Sequence, residues 1–246
     1  MHSISQFRHT LAAALLGAAG FALASSGAAA QTPAANAVQQ LPPQRALAEA
    51  LAVARRDFAQ FSAHQLQTRS GAPLDFPLDI TDLQELKEAA VSYGFALYTV
   101  DPAELLAGRS TMQRMAKPTE QWRFVITLRD RPIGMATVER HNGRFETVAY
   151  GAAVLAKDLD ALAGVHGNAD KSNLRMLRIY QARSDLLEVV SADGQARFAP
   201  LHSARESLLL QQRMNKDGKP AGALLEEAEL VQPLRAAVKM NMEASR

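Results

Sequence analysis

The sequence contains no cysteine among its 246 residues. This absence excludes disulfide bonds, thiolate metal sites, cysteine nucleophiles and a lipid-modified N-terminal cysteine. An excess of one charge is also missing, since 27 Lys and Arg face 25 Asp and Glu, for a formal net charge of +2. So small an imbalance does not indicate nucleic acid or an anionic membrane as a partner. With 48% apolar residues, the chain can nevertheless bury a hydrophobic core.

Familiar catalytic and nucleotide-binding motifs are missing as well. The sequence has no G-x-S-x-G, no G-x-x-x-x-G-K-[ST] and no G-x-G-x-x-G. Its histidines show none of the H-x-H, H-x-x-x-H or H-E-x-x-H spacings that place two ligands on one metal ion. We therefore expect no metal site and no cofactor, and the pattern favours binding over catalysis.

The first 30 residues have the three parts of a secretory signal peptide. Arg8 precedes an apolar run from Leu11 to Ala24, which is shorter than the ~20 residues that span a bilayer. Three small residues, Ala28 to Ala30, then provide a signal-peptidase site. The sequence predicts cleavage between Ala30 and Gln31, with Ala35-Asn36-Ala37 as a less favoured second site.

The predicted signal peptide implies an exported protein, periplasmic or secreted, that is not a lipoprotein. We expect a signal peptide over residues 1–30, a flexible leader over 31–44 and a single α+β domain over 45–246. No later apolar run reaches the length of a membrane span, so we expect none after cleavage.

Helical patterns dominate residues 45–92 and 201–246. An apolar stripe at spacings of three and four residues predicts a first helix from Arg45; its members are Leu47, Leu51, Ala54, Phe58 and Phe61. A capping box at Thr81–Gln84 predicts a helix that ends at Gly94. Asp101-Pro102 predicts the start of a helix that ends at Gly108. Near the C-terminus we expect a helix from the Ser203 capping box to Met214, then two short helices separated before Pro233.

Strand patterns dominate residues 93–200. Trp122 to Arg129 alternate in period two, and Asn142-Gly143 between two strand-like runs is typical of a β-hairpin. A helix is predicted over Gly151–Gly164, followed by strands over 174–182, 186–191 and 195–198. Tight turns between successive strands favour an antiparallel sheet of about five to seven strands, packed against helices on one face.

One pair of carboxyl groups is a speculative catalytic site. A two-residue loop at Asn142-Gly143 sets Glu139 opposite Glu146, a like-charge arrangement that raises the pKa of one carboxyl. A three-residue loop instead pairs Glu139 with Phe145, and a solvated Glu pair has no chemical role. We favour these simpler alternatives.

Two histidines complete the speculative catalytic set. His166 lies in a polar loop after a predicted helix, and His202 precedes the predicted cap at Ser203. A site that used them with Glu139 and Glu146 would have to be assembled from distant elements.

Arginine is frequent on or near the predicted strands. The residues are Arg123, Arg129, Arg140, Arg144, Arg175 and Arg178. Alternation places Arg123 and Arg129 on the face opposite Trp122. Acidic residues nearly balance them, so we expect a solvated charged face and keep an anion-binding groove as the alternative.

Together these patterns predict a non-catalytic binding or interaction module in the cell envelope. Its partner would be an unknown cell-envelope protein or a small ligand, and no nucleic acid is expected. Two alternatives stay open. One is a cell-envelope hydrolase with a site built from distant elements. The other is a structural protein that forms a homo-oligomer through its N-terminal helix.

Overall fold

The computed structural model describes residues 44–68, 71–220 and 222–244. The predicted signal peptide, its cleavage site and the leader up to residue 43 lie outside these residues. Within the described part of the chain, no helix is long and apolar enough to cross a membrane.

Seven strands form one mostly antiparallel sheet in the order β4-β3-β2-β1-β5-β6-β7. The strands are β1 (Ala89–Val100), β2 (Ala116–Leu128), β3 (Arg131–His141), β4 (Arg144–Gly151), β5 (Leu174–Ile179), β6 (Ser184–Val190) and β7 (Ala196–Pro200). β1 pairs in parallel with β5, and the other neighbours pair antiparallel. The predicted α+β class and strand number are confirmed.

Seven α-helices accompany the sheet in the described residues. They are α1 (Gln44–Thr68), α2 (Pro102–Ala107), α3 (Met112–Met115), α4 (Ala153–His166), α5 (His202–Ser207), α6 (Leu210–Lys216) and α7 (Glu227–Ala244). Apolar residues of α1, α2, α3, α5, α6 and α7 pack in one large core on one face of the sheet. Helix α4 packs in a smaller core on the opposite face.

The apolar stripe of α1 packs on the sheet of the same chain. Ala54 and Phe58 are buried, and Phe61 contacts Tyr150 of β4 with ring centroids 4.4 Å apart. Asp57 on the same helix accepts a hydrogen bond from the backbone N–H of Thr147 at 3.2 Å. The stripe on which the self-association alternative depends is therefore occupied within the chain.

Local signals predict two features closely. Asp101 caps α2 by accepting from the backbone N–H groups of Ala103 and Glu104, and the helix ends at Gly108. Asn142 and Gly143 both have positive φ, at 50° and 78°, which is the conformation of a two-residue hairpin loop.

The helix predicted from Leu83 to Tyr93 is wrong. Asp82 and Glu85 form a capping box, but they start a short 3₁₀ segment over Leu83–Lys87, and β1 begins at Ala89. The predicted boundary between a helical part and the sheet at residue 92 is accordingly too late. From Ala89 opposite Leu128 onwards, the backbone of β1 pairs with β2. This pairing satisfies the backbone hydrogen bonds of β1 and overrides the local helical pattern.

The C-terminal helices also differ from prediction. Helix α7 runs through Pro233 without a break. Proline removes one backbone hydrogen bond, but Leu230, Leu234 and Val238 form a continuous buried stripe across it. The predicted single helix from Ser203 to Met214 is divided into α5 and α6, because Leu209 has a φ of 54°.

Candidate functional site

The face of the sheet that carries α4 has an apolar half and a polar half. On each central strand, the residues toward one end pack with Leu159 and Leu162 of α4. Toward the other end, the same face carries polar side chains that are only half-buried. They are Thr99 of β1, Gln121 and Arg123 of β2, Thr137 and Glu139 of β3, and Arg178 of β5. We call this surface the polar half-face.

Strand alternation explains how the polar half-face forms. Arg123 lies between Trp122 and Phe124, which both belong to the large core on the opposite face. Successive side chains of a strand point to opposite faces, so Arg123 points away from that core. The same reasoning applies to Thr137, between Ala136 and Val138.

Neighbouring polar groups on this surface bind one another. Gln121 donates from Nε2 to Oε1 of Glu139 at 2.7 Å, across the β2–β3 pair. Thr99 donates from Oγ1 to the backbone carbonyl of Arg178 at 2.8 Å, between β1 and β5. These bonds fix side chains across two strand pairs, so the surface is ordered rather than loosely solvated.

A buried carboxylate anchors one edge of the polar half-face. Asp185 of β6 is 3% exposed and lies opposite Arg178 in the β5–β6 register. Its Oδ1 is 3.0 Å from Nε of Arg178. Ser203 donates to its Oδ2 at 3.0 Å and accepts from its backbone N–H at 3.0 Å. Asp185 therefore neutralises Arg178 and ties the start of α5 to the sheet.

The role of Ser203 differs from prediction. Helix α5 begins at His202 after the N-cap residue Leu201, which makes no side-chain cap. The predicted capping box from Ser203 to Glu206 is wrong, because the Ser203 hydroxyl is engaged by Asp185.

Arg123 lacks the partners that Arg178 has. Its Nε is buried without a hydrogen-bond acceptor, and no hydrogen bond or ion pair joins its guanidinium to the described residues. Burial, followed by the charge of Arg178, lowers the pKa of Arg123, and the charge of Asp185 partly offsets this. An arginine remains protonated even so, and it presents an uncompensated positive charge on the polar half-face.

The two candidate glutamates face each other. The two-residue loop sets Glu139 opposite Glu146, and Arg140 opposite Phe145, so the alternative three-residue loop is wrong. Glu139 is half-buried and bonded to Gln121, whereas Glu146 is exposed. This pair lies at the hairpin end of the polar half-face.

The two candidate histidines have different surroundings. Nε2 of His166, at the end of α4, is 2.8 Å from the carbonyl of Gly222. His202 donates its backbone N–H to Asp158 at 2.5 Å, and its Nε2 is 3.2 Å from Glu206. Among the residues that the structure describes, no hydrogen bond or ion pair joins either histidine to Glu139 or Glu146. In the described residues, no group of three or more His, Asp or Glu side chains is arranged to hold a metal ion.

A separate concavity of about 310 Å³ lies beside β1. β5 pairs with β1 only at Leu97 and Tyr98, so the preceding residues of β1 border the concavity instead of a strand. Gly94, Phe95 and Lys171 are among its lining residues. Its lining includes the negative Asp170 beside the positive Lys171, so it does not favour ligands of one charge over the other.

Arg175 does not belong to a solvated face. It is 2% exposed on the large-core side of the sheet, where its guanidinium pairs with the fully buried Glu188. Its Cζ lies 4.6 Å from the ring centroid of Tyr98. The expectation of a single solvated arginine face is therefore wrong for this residue.

Sequence reasoning missed the acidic partners on β6. Asp185 and Glu188 pair with Arg178 and Arg175 through the same hairpin register. The charge pattern was visible in the sequence, but the predicted strands over 174–182 and 186–191 left Asp185 in a turn. The 3₁₀ segment at Tyr180–Ala182 shortens β5 and brings Ser184 and Asp185 into β6.

Comparisons with known proteins do not narrow the function. No family model, no curated protein and no solved structure matches this chain. Any functional conclusion must therefore come from the chemistry of its own surface.

Proposed function

We propose that this chain is an exported binding module without a catalytic role, and that it receives a small ligand on the polar half-face. The observation that carries this proposal is the division of one sheet face. Helix α4 covers the apolar half, while half-buried polar side chains line the other half without a covering element in the described residues.

The chemistry of the polar half-face suits recognition. Apolar faces of a sheet must be covered, whereas a face with donors and acceptors can stay open until a ligand arrives. Gln121, Thr99 and Arg178 are held by hydrogen bonds, so little side-chain freedom is lost when a ligand binds. A few fixed polar groups beside packed elements are typical of ligand sites.

The arrangement of the speculative catalytic residues supports binding over hydrolysis. Glu139 and Glu146 face each other on the β3–β4 hairpin, and His202 and His166 contact other parts of the chain. General acid–base catalysis needs groups within hydrogen-bond reach of one substrate atom. These four side chains do not form such a group in the described contacts.

A ligand screen against the purified chain tests the proposal. Ligand-observed NMR with a library of small metabolites should find binders that raise the unfolding temperature. Thr137→Trp places a bulky ring on the polar half-face and should abolish that gain. Val165→Trp is the matched control, because Val165 is 75% exposed on α4, away from this surface. Binders should be recovered chemically unchanged.

Two results would contradict the binding proposal. One is that no library member stabilises the chain. The other is that every binder stabilises Thr137→Trp as much as the unsubstituted chain.

Export needs a separate test. Full-length protein expressed in a bacterium with an outer membrane should appear in the periplasm or medium, with Gln31 as its N-terminal residue. Unprocessed protein in the cytosol would contradict export and would leave the binding proposal to the ligand screen.

A further inference from the structure

Arg123 is unusual among the strand arginines. In the described strands, Arg131, Arg140, Arg175, Arg178 and Arg197 each have a carboxylate partner. Arg123 and Arg144 have no carboxylate partner among the described residues, and Arg144 is exposed to water. Arg123 therefore differs from the other strand arginines, because it is half-buried and has no partner in the described part of the chain.

An unpaired and partly enclosed guanidinium costs stability. The buried Nε of Arg123 has lost water without gaining an acceptor, and such a group in a native structure needs an explanation. Its position on the polar half-face would allow a bound molecule to supply the acceptor.

The neighbouring charges define the charge of that molecule. The charge of Arg178 is balanced by Asp185, so Arg123 leaves one positive charge uncompensated. A monovalent anion neutralises it. A phosphate dianion would bring a second negative charge within the field of Asp185, which opposes it.

The shape of the guanidinium and a nearby aromatic ring indicate the chemical class of the expected ligand. An arginine fork matches the two oxygens of a carboxylate in plane. Tyr180 is 47% exposed, and its ring centroid lies 5.8 Å from Cζ of Arg178. This ring offers an apolar surface for the organic part of a ligand.

We propose that Arg123 binds the carboxylate of a small organic monocarboxylate on the polar half-face. The inference rests on the proposed binding function and adds the ligand class to it. The carboxylate accepts from the guanidinium of Arg123, beside the charge-balanced pair of Arg178 and Asp185. The rest of the molecule packs toward Tyr180.

Titration with benzoate tests this proposal. Isothermal titration calorimetry of the purified chain should detect benzoate, with weaker binding of inorganic phosphate and none of benzamide, which has the same ring without the charge. Arg123→Gln should weaken benzoate binding by at least about tenfold. Arg123→Lys keeps the positive charge without the guanidinium fork. Its affinity for benzoate should lie between those of Arg123→Gln and the unsubstituted chain.

Arg144→Gln is the matched control, since it removes an exposed strand arginine without a carboxylate partner. It should bind benzoate like the unsubstituted chain. Thermal unfolding of each variant checks that it is folded, and Arg123 has no hydrogen-bond or ion-pair partner among the described residues.

Other outcomes separate the two proposals. Equal benzoate affinity in Arg123→Gln and the unsubstituted chain overturns the carboxylate site, as does preference for phosphate over benzoate. Suppose that benzoate does not bind, but a neutral ligand binds and Thr137→Trp blocks it. The carboxylate site at Arg123 is then wrong, and the proposed binding function of the polar half-face is retained. If no ligand is blocked by Thr137→Trp, both proposals are wrong.

Discussion

Two arginines on opposite faces of the sheet, Arg175 and Arg123, have different surroundings. On the covered face, Arg175 is buried and pairs with Glu188, and the Tyr98 ring lies against it. On the polar half-face, Arg123 is half-buried and no carboxylate of the described residues pairs with it. Arg175 is therefore neutralised within the core, whereas Arg123 on the polar half-face has no carboxylate partner in the described part of the chain.

This contrast predicts different effects of substitution on stability. Removing one member of a buried ion pair leaves an uncompensated charge in the core, which is strongly destabilising. Removing an unpaired cation relieves a cost instead. Substitutions at the two arginine sites should therefore have opposite consequences for stability.

Glu188→Gln should have the largest effect on stability. It leaves the charge of Arg175 in the core, and we expect a loss of about 3–5 kcal/mol in the free energy of unfolding. Urea denaturation provides the measurement, with exposed Glu146→Gln as the control. A loss below about 1 kcal/mol would mean that Arg175 finds compensation without Glu188.

Leu159→Ala tests how much α4 contributes as the cover of the apolar half. Leu159 is fully buried in the smaller core, and its truncation should cost about 2–5 kcal/mol. Val154→Ala on the same helix is the control, because Val154 is 63% exposed. Equal effects of the two substitutions would indicate that α4 is not the cover we describe.

Asp57→Asn should have a smaller effect that depends on pH. Burial raises the pKa of Asp57, but hydrogen bonds from Arg56 and Thr147 outweigh it, so the net pKa is lowered. The carboxylate therefore stabilises the fold above its unfolded pKa, and this contribution is lost as the pH falls through the folded pKa. We expect the difference from the unsubstituted chain to be about 1 kcal/mol at pH 7 and to shrink toward pH 3.

A second aspartate variant is the control for this pH experiment. Asp75→Asn, at an exposed carboxyl, should show no such pH dependence. If the difference in the free energy of unfolding between Asp57→Asn and the unsubstituted chain grows as the pH falls, the direction of the pKa shift is contradicted.

Arg123→Gln should have the smallest effect on stability in the absence of ligand. The guanidinium has no partner in the described residues, so we expect a change within about 0.5 kcal/mol, or a slight gain. A loss of more than about 2 kcal/mol in urea denaturation would show that Arg123 supports the fold, and the contrast with Arg175 would fail.

Local chemistry made part of the fold predictable from the sequence. Asp101 with Pro102 starts a helix, and Asn142-Gly143 forms a hairpin loop, because each depends on a few neighbouring residues. The 3₁₀ segment before β1 and the passage of α7 through Pro233 depend on distant packing instead. No local pattern contains that information.

The candidate site was less predictable than the fold. Alternation placed Arg123 away from Trp122 correctly, but it could not show that Asp185 neutralises Arg178 and leaves Arg123 unpaired. That distinction depends on the β5–β6 register and on the order of strands across the sheet. Charge counts alone favour a solvated face.

A ¹H–¹⁵N NMR titration with benzoate tests the central claim most directly, because it locates the ligand. The account predicts shifts in the guanidinium of Arg123 and in the backbone of Thr99, Thr137 and Tyr180, with little change along α4. Shifts centred on His202 or on the concavity beside β1, or no shifts at all, would contradict it.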